Sequence, residues 1–285
     1  MFKRVMVAVV GLPLLILILG WAPSWATMLL LAAMCAIGAW ELMRAAAGER
    51  GKPLTPLTVI AAAAVPVCVY GEMSIENTEL TALPVLPFAA LLGAVFIFAI
   101  FALAIHRYDE EQGIPFAAVT CAIFAGLAFP LMFSCLLRLR MMPAIGMLQV
   151  FLPLAISFGS DTFALFAGML CGKHKLAPRV SPKKTVEGAV GGLIGGVIGM
   201  TIMMFAGGWV LGDAFLAPVH VLVFGIVGSA VSQIGDLSFS VIKREFGVKD
   251  YGNLLPGHGG ILDRFDSVTF VAPFVWLALQ IMWVL

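Results

Sequence analysis

From Val5 onward the chain is a succession of apolar runs, most of them close to the length that crosses a bilayer, separated by short polar breaks. A helical span needs about 20 residues to cross roughly 30 Å of hydrocarbon. In lipid every backbone N–H and C=O has to be satisfied within the segment or its barrel, so apolar runs of this length fold as helices. Cutting at the polar breaks gives approximate spans 5–22, 25–43, 57–71, 83–105, 116–136, 146–170, 186–210, 218–236 and 267–285. The expected architecture is all-α: a polytopic membrane protein of about nine transmembrane helices, give or take one, with span 57–71 short unless it begins before Pro56. Composition agrees, since 61% of residues are hydrophobic and only 12% charged, against about 25% charged in ordinary soluble domains.

Orientation follows from the basic residues, which collect on the cytoplasmic side of short loops. An alternating path with the N-terminus cytoplasmic puts Arg138 and Arg140 outside and the remaining Lys and Arg inside, and it leaves the C-terminus outside. The opening MFKRVMVAVVGLPLLILILG also has the basic flank and apolar stretch of a signal peptide. Because the next run starts within a few residues, an uncleaved first helix in a tight hairpin is expected instead. The net charge is +1 and no basic arm or aromatic-interleaved basic surface stands out, so nucleic acid is not an expected partner. The cysteines fall singly in apolar segments, as small core residues do, without a metal-ligand spacing.

Residues 1–145 offer little beyond lipid-facing helices, whereas 146–285 carry two polar inner segments, 171–188 and 236–267. In the second of these Asp236, Ser240 and Lys243 are spaced to share one face if the eighth helix continues past the membrane. The stretch PGHGGILDRFDS follows. Gly257, Gly259 and Gly260 allow a tight loop whose amides face an anion, a helix opens near Ile261, and Asp263 and Asp266 fall on one side of it with Arg264 turned away. Acids in a first helical turn are ordinary dipole partners, which accounts for one of these and not for the whole set. Carboxylates without a neighbouring Cys or His pair are hard oxygen ligands, suited to Mg²⁺ and not to zinc. His258 is open to a substrate contact or a structural loop role.

In the first inner segment, SPKKTVEG, Ser181 is a good N-cap and Pro182 a natural first helical residue, so the seventh helix is expected to start there. Lys183 and Lys184 in a helical first turn are electrostatically wrong for the helix alone. Together with the helix amides and Thr185 they make a phosphate cradle. Asp161 lies in mid-span, where an ionisable residue marks a polar cavity or a site. GMLCGKH looks like a P-loop but is one residue short, with His174 where Ser or Thr belongs. Glycines 188, 192 and 196, with 191, 195 and 199 beside them, form small-residue ridges for helix packing.

These residues resemble the phosphatidate cytidylyltransferases, or CDP-diacylglycerol synthases. That family's signature runs Ser, two residues, Lys-Arg, four residues, Lys-Asp, then Pro-x-His-Gly-Gly-x-x-Asp-Arg-x-Asp. Ser240, Lys243, Arg244, Lys249, Asp250, Pro256, His258, Gly259, Gly260, Asp263, Arg264 and Asp266 fill every fixed position. The SPKKTVEG and SDT segments also look like the family's, although Phe163 and Leu165 stand where small and aromatic residues are frequent. The N-terminal half is similar only in hydropathy.

The resemblance implies transfer of the cytidylyl group of CTP to phosphatidic acid, giving CDP-diacylglycerol and pyrophosphate, with Mg²⁺, at the cytoplasmic side of a bacterial inner membrane. On that reading Asp236 and Asp263 hold Mg²⁺, and Asp266 or Asp161 completes the site or holds a second cation. Asp236, Asp263, Asp266 and Lys243 form the catalytic set. Lys183, Lys184, Lys243 and Arg244 neutralise the phosphates, and Ser181, Thr185, Ser240, Lys249, His258, Gly259, Gly260 and Arg264 complete the substrate-binding set. The glycine ridges permit a homodimer. A CTP-dependent lipid kinase of the dolichol-kinase type and a cation-coupled transporter are the rival readings; the paired inverted halves of a transporter are not evident.

Overall fold

A computed structural model describes residues 2–76, 87–108, 113–143, 145–213, 215–254 and 259–284. The helices are α1 (Phe2–Gly20), α2 (Ser24–Ala46), the short α3 (Gly48–Gly51), α4 (Thr55–Glu76), α5 (Phe88–His106), α6 (Phe116–Ile123), α7 (Phe129–Phe133), α8 (Cys135–Arg140), the short α9 (Gly146–Gln149), α10 (Leu152–Cys171), α11 (Val186–Leu211), α12 (Pro218–Glu245) and α13 (Leu262–Val284). A π-helical stretch, Phe124–Ala128, joins α6 to α7, and one antiparallel hairpin, β1 (Lys175–Ala177) and β2 (Ser181–Thr185), interrupts the helical path. Among the described residues eight helical spans are long and apolar enough to cross a membrane, and α1 contributes a shorter apolar segment, Gly11–Gly20. The expected all-α, polytopic architecture is therefore present.

The third span takes the longer of its two expected forms, beginning before Pro56: a helical run from Gly48 leads through a 3₁₀ turn into α4, and the whole covers Gly48–Glu76. The last helix starts at Leu262, as expected of a helix opening near Ile261, and its apolar span begins there, ahead of 267; Glu41 accepts its first amides. As expected, α12 runs on past Asp236 to Glu245.

The chain divides into two compact units, Met1–Ala144 with Phe246–Arg264, and Ile145–Glu245 with Phe265–Leu285. Segment 246–264 thus clusters with the N-terminal helices.

In the first unit α2 and α4 pack along each other over a core that includes Cys35, Ala62, Val65 and Val69, all fully buried. One end is fastened by polar contacts: Arg138 Nη2 donates to Glu72 Oε2 at 2.9 Å, Glu72 Oε1 accepts the N–H of Ala89, and Arg140 donates to the carbonyls of Gly20 and Ala22. The two arginines assigned outside thus share one end with the α1–α2 turn and the end of α4, as an alternating path requires.

In the second unit α11 is a glycine ridge on two sides. A Cβ at Gly195 or Gly199 would strike the backbone carbonyl of Gly159 or Ala155 on α10, and one at Gly196 would strike Ser229 and the Gly225 carbonyl on α12. Ser229 Oγ donates to the Gly192 carbonyl at 3.1 Å and Gln233 Nε2 to the Ala189 carbonyl at 3.0 Å. Glycine lets the backbones approach this closely, and interhelical hydrogen bonds then add to dispersion where no hydrophobic driving force separates protein from lipid. Outward-facing Trp209 and Leu170 are more than four-fifths exposed, at 88% and 82%, which suits a lipid-covered surface and no aqueous one.

Candidate active site

Asp236 sits on α12 one turn before Ser240, whose hydroxyl donates to Asp236 Oδ1 at 3.4 Å. Asp236 Oδ2 lies 2.5 Å from Lys184 Nζ, and both side chains are 26% exposed. On α13, Asp266 is buried at 8% exposure and its Oδ1 accepts the N–H of Ser267 at 2.7 Å. The charges of Asp236, Lys243 and Asp161 all act on it. Three of the carboxylates named from sequence, together with Lys184 and Lys243, are therefore neighbours within the second unit. Burying one carboxylate beside two others is unfavourable unless cations balance them, so the cluster has a standing need for positive charge that two lysines meet in part.

The hairpin that supplies Lys184 corrects the expected helix start. Ser181–Thr185 is a strand, paired with Lys175–Ala177 in register Lys175 to Thr185 and Ala177 to Ser181. The residue before a proline is pushed to extended geometry, and two lysines at a helix N-terminus would meet its positive end. The helix instead begins after them. Thr185 is the N-cap, its hydroxyl accepting the Gly188 N–H at 3.1 Å, and Glu187 in the first turn has the sign the dipole favours.

A strand also sends consecutive side chains to opposite faces, so the two lysines do not act as one cradle. Lys184 reaches Asp236 while Lys183 is exposed, and Ser181 is half-buried.

Two contacts fix the hairpin at its base and tip. Glu187 accepts the N–H groups of Lys173 and His174 and pairs with His174 Nδ1 at 2.6 Å. Arg244 Nε donates to the Val180 carbonyl at 3.0 Å, so this predicted phosphate ligand is engaged with the hairpin turn. Glu187 was not singled out by sequence, although an acid two residues after a Thr N-cap is a readable signal.

Asp161 is exposed on α10; Phe163 beyond it lies against Gly195 of α11, whereas Leu165 is exposed.

The first unit holds the rest of the signature. Asp263 Oδ2 accepts two backbone N–H groups, from Tyr251 at 2.8 Å and Gly260 at 3.0 Å, and so ties these two positions together. Gly259 has φ +85°, a conformation in which any side chain would be strained. Lys249 and Arg264 are exposed. Pro256, Gly257 and His258 lie outside the described residues. Sequence reasoning missed Glu41 on α2: fully buried, its carboxylate accepts the N–H of Ile261 at 3.2 Å and of Leu262 at 3.1 Å.

Among the described residues no group of three or more His, Cys, Asp or Glu side chains is gathered closely enough to hold a metal by itself. A phosphate-borne Mg²⁺ takes one or two carboxylates and fills its remaining positions with water and substrate oxygens. Asp236 and Asp266 are donors of the right hardness.

The chain is similar to the phosphatidate cytidylyltransferase of Bacillus subtilis (strain 168), 30% identical over 187 residues covering 66% of this chain and 68% of that protein. It is likewise similar to the phosphatidate cytidylyltransferase of Rickettsia bellii, 30% identical over 186 residues covering 65% and 80%. That of Staphylococcus saprophyticus is 46% identical over a shorter stretch of 116 residues, 41% of this chain and 43% of the other. The model of the cytidylyltransferase family matches residues 2–282. With a match of that extent, the chain belongs to the cytidylyltransferase family.

Proposed function

We propose that this protein transfers the cytidylyl group of CTP to phosphatidic acid, giving CDP-diacylglycerol and pyrophosphate, at the cytoplasmic face of a bacterial inner membrane. The reading is supported by the family, by the names of its relatives, and by the excess of Lys and Arg on one side of the alternating path. The observation that carries it is the cluster in the second unit, where Lys184 and Asp236 pair beside buried Asp266, with Lys243 near.

A phosphate monoester has a second pKa of about 6, so phosphatidate needs no catalytic base. Its oxygen forms a bond to the α-phosphorus of CTP while the bond from that phosphorus to the β-bridging oxygen breaks, and pyrophosphate carries away the electron pair. The difficulty is bringing two anions together, and the catalysis is positioning and charge neutralisation.

Lys184 and Lys243 supply fixed positive charge, and exposed Lys183 offers a third cation. Mg²⁺, held by Asp236 and Asp266 with Asp263 as the further ligand that the signature implies and Asp161 in reserve for a second ion, would neutralise charge building on the triphosphate. With substrate and the ion bound, Lys184 would pair with a phosphate and Asp236 would hold the cation. Until substrate arrives each keeps the other's charge compensated. The ridge glycines of α11 are buried against α10 and α12, so they are not the surface on which two copies would pair.

The test is to give the purified protein radiolabelled CTP, phosphatidate and Mg²⁺ and to identify both products. CDP-diacylglycerol with pyrophosphate supports the reading. CDP with a phosphorylated lipid alcohol, when such an alcohol is offered, points to the kinase.

A further inference from the structure

We infer that Glu41, on a helix far from the signature in sequence, is a positioning residue for the proposed reaction: it fastens the glycine-rich loop by its backbone and so sets where Asp263 stands. The inference rests on the proposed cytidylyl transfer for its kinetic part alone.

The geometry lies wholly within the first unit. Near its end, helix α2 presents two side chains and a glycine to Tyr251 and to Ile261–Leu262. Glu41 is 0% exposed, yet its two carboxylate oxygens accept the consecutive backbone N–H groups of Ile261 and Leu262, the start of α13. Those amides are among the unsatisfied donors of a helix N-terminus, and a buried carboxylate there is stabilised by both hydrogen bonds and the helix dipole. One turn on, Arg44 Nη2 donates to the Tyr251 carbonyl at 2.9 Å, its guanidinium held 4.7 Å over the Trp40 ring. One turn back, Gly38 leaves room for Leu262, whose Cδ2 would lie 3.3 Å from a Cβ there.

The loop is thus tied to α2 at both ends, Tyr251 by Arg44 and Ile261–Leu262 by Glu41. Asp263 ties Tyr251 and Gly260 together through their N–H groups. Two glycines are shaped around the tie. A Cβ at Gly252 or at Gly260 would collide with the Glu41 carboxylate. Gly260 belongs to the signature, whereas Gly252 does not, and contact with Glu41 explains why a glycine is needed there.

Structural packing alone would call for an apolar residue at a fully buried position of a membrane helix, because an ionised carboxylate costs several kcal/mol to bury without compensation. What the carboxylate supplies and an apolar residue lacks is a pair of acceptors aimed at two adjacent amides. Its effect on catalysis therefore passes through the loop, and through Asp263 and the glycines of the signature.

The experiment uses the full chain in nanodiscs and compares Glu41→Ala, Glu41→Gln and Arg44→Met with Glu49→Gln, an exposed control. Hydrogen–deuterium exchange of residues 251–262 is read alongside kcat and KM for CTP. Glu41→Ala should raise exchange through 251–262 while the helical content of the protein is kept. It should lower kcat on the order of 10²-fold, the scale of misplacing a reacting group by about 1 Å, with a smaller change in KM. Glu41→Gln, which keeps one acceptor oxygen, should recover part of both. Arg44→Met should loosen the Tyr251 end and keeps the test decisive should Glu41→Ala fail to insert. Unchanged loop exchange in folded Glu41→Gln and Arg44→Met, whatever their activity, would overturn the inference. A loosened loop in a chain whose wild type makes no CDP-diacylglycerol would leave it standing and refute the proposed function.

Discussion

Lys184 Nζ and Asp236 Oδ2 lie 2.5 Å apart, joining the hairpin strand β2 to the C-terminal half of α12. Lys184→Ala should therefore do two separable things. It removes a charged hydrogen-bond donor from substrate, raising the apparent KM for CTP roughly 10- to 100-fold. It also leaves Asp236 without this partner, which titration calorimetry should register as altered Mg²⁺ affinity. Asp236→Asn should abolish transfer while the protein remains folded in detergent.

Asp263 fastens its loop through Oδ2 to two amides. Asparagine keeps an acceptor oxygen, so Asp263→Asn should insert and fold normally, by circular dichroism and by thermal unfolding. Its turnover should nevertheless fall at least on the order of 10²-fold, the scale of losing a charged group from such a site. Near-normal activity in this variant would remove Asp263 from the mechanism.

Chelation gives an independent check. Excess EDTA should stop product formation by the wild type, and added Mg²⁺ should restore it with Ca²⁺ less effective, since the larger ion prefers more protein oxygens than this cluster offers.

The orientation argument has a simple reporter in Cys171, which is exposed at the end of α10. With the other cysteines replaced, a membrane-impermeant maleimide should label Cys171 in inverted vesicles and spare it in intact spheroplasts. The reverse pattern would invert the assignment of inside and outside.

Glycine positions separate packing from mere helix propensity. Gly196→Ala places a methyl group against Ser229 and a backbone carbonyl of α12, and overpacking of this kind typically costs about 1–3 kcal/mol. Gly11 on α1 has no atom within 4 Å of where its Cβ would be, so Gly11→Ala should be neutral or slightly stabilising, by about 0.5–1 kcal/mol. Thermal unfolding in one detergent would rank the two.

The long helices were legible because lipid leaves the backbone so few choices: an apolar run of spanning length is a helix whatever surrounds it. The shared face of Asp236, Ser240 and Lys243 was legible for the same reason, since helical spacing fixes it. Ser181–Thr185 was not. Ser-Pro reads equally as a helix cap and as an extended pair, and the choice was made by pairing with Lys175–Ala177 and by the cost of lysines at a helix N-terminus.

Glu41 was hidden by distance. Its partners lie 220 and 221 residues further on, and no local pattern announces such a contact. The clue available was the lone acid in an otherwise apolar span, which in a bilayer asks for an explanation.

Along α11 backbone meets backbone at the carbonyls of Ala155, Gly159 and Gly225, with Phe163 and Ser229 closing in beside them. Such a contact has one good fit and no neighbouring alternative, so α10, α11 and α12 turn or shift together or not at all. Adjustment to an arriving lipid headgroup within this unit falls instead to the β1–β2 hairpin, which is moored at base and tip by a handful of exchangeable polar bonds through Glu187 and Arg244.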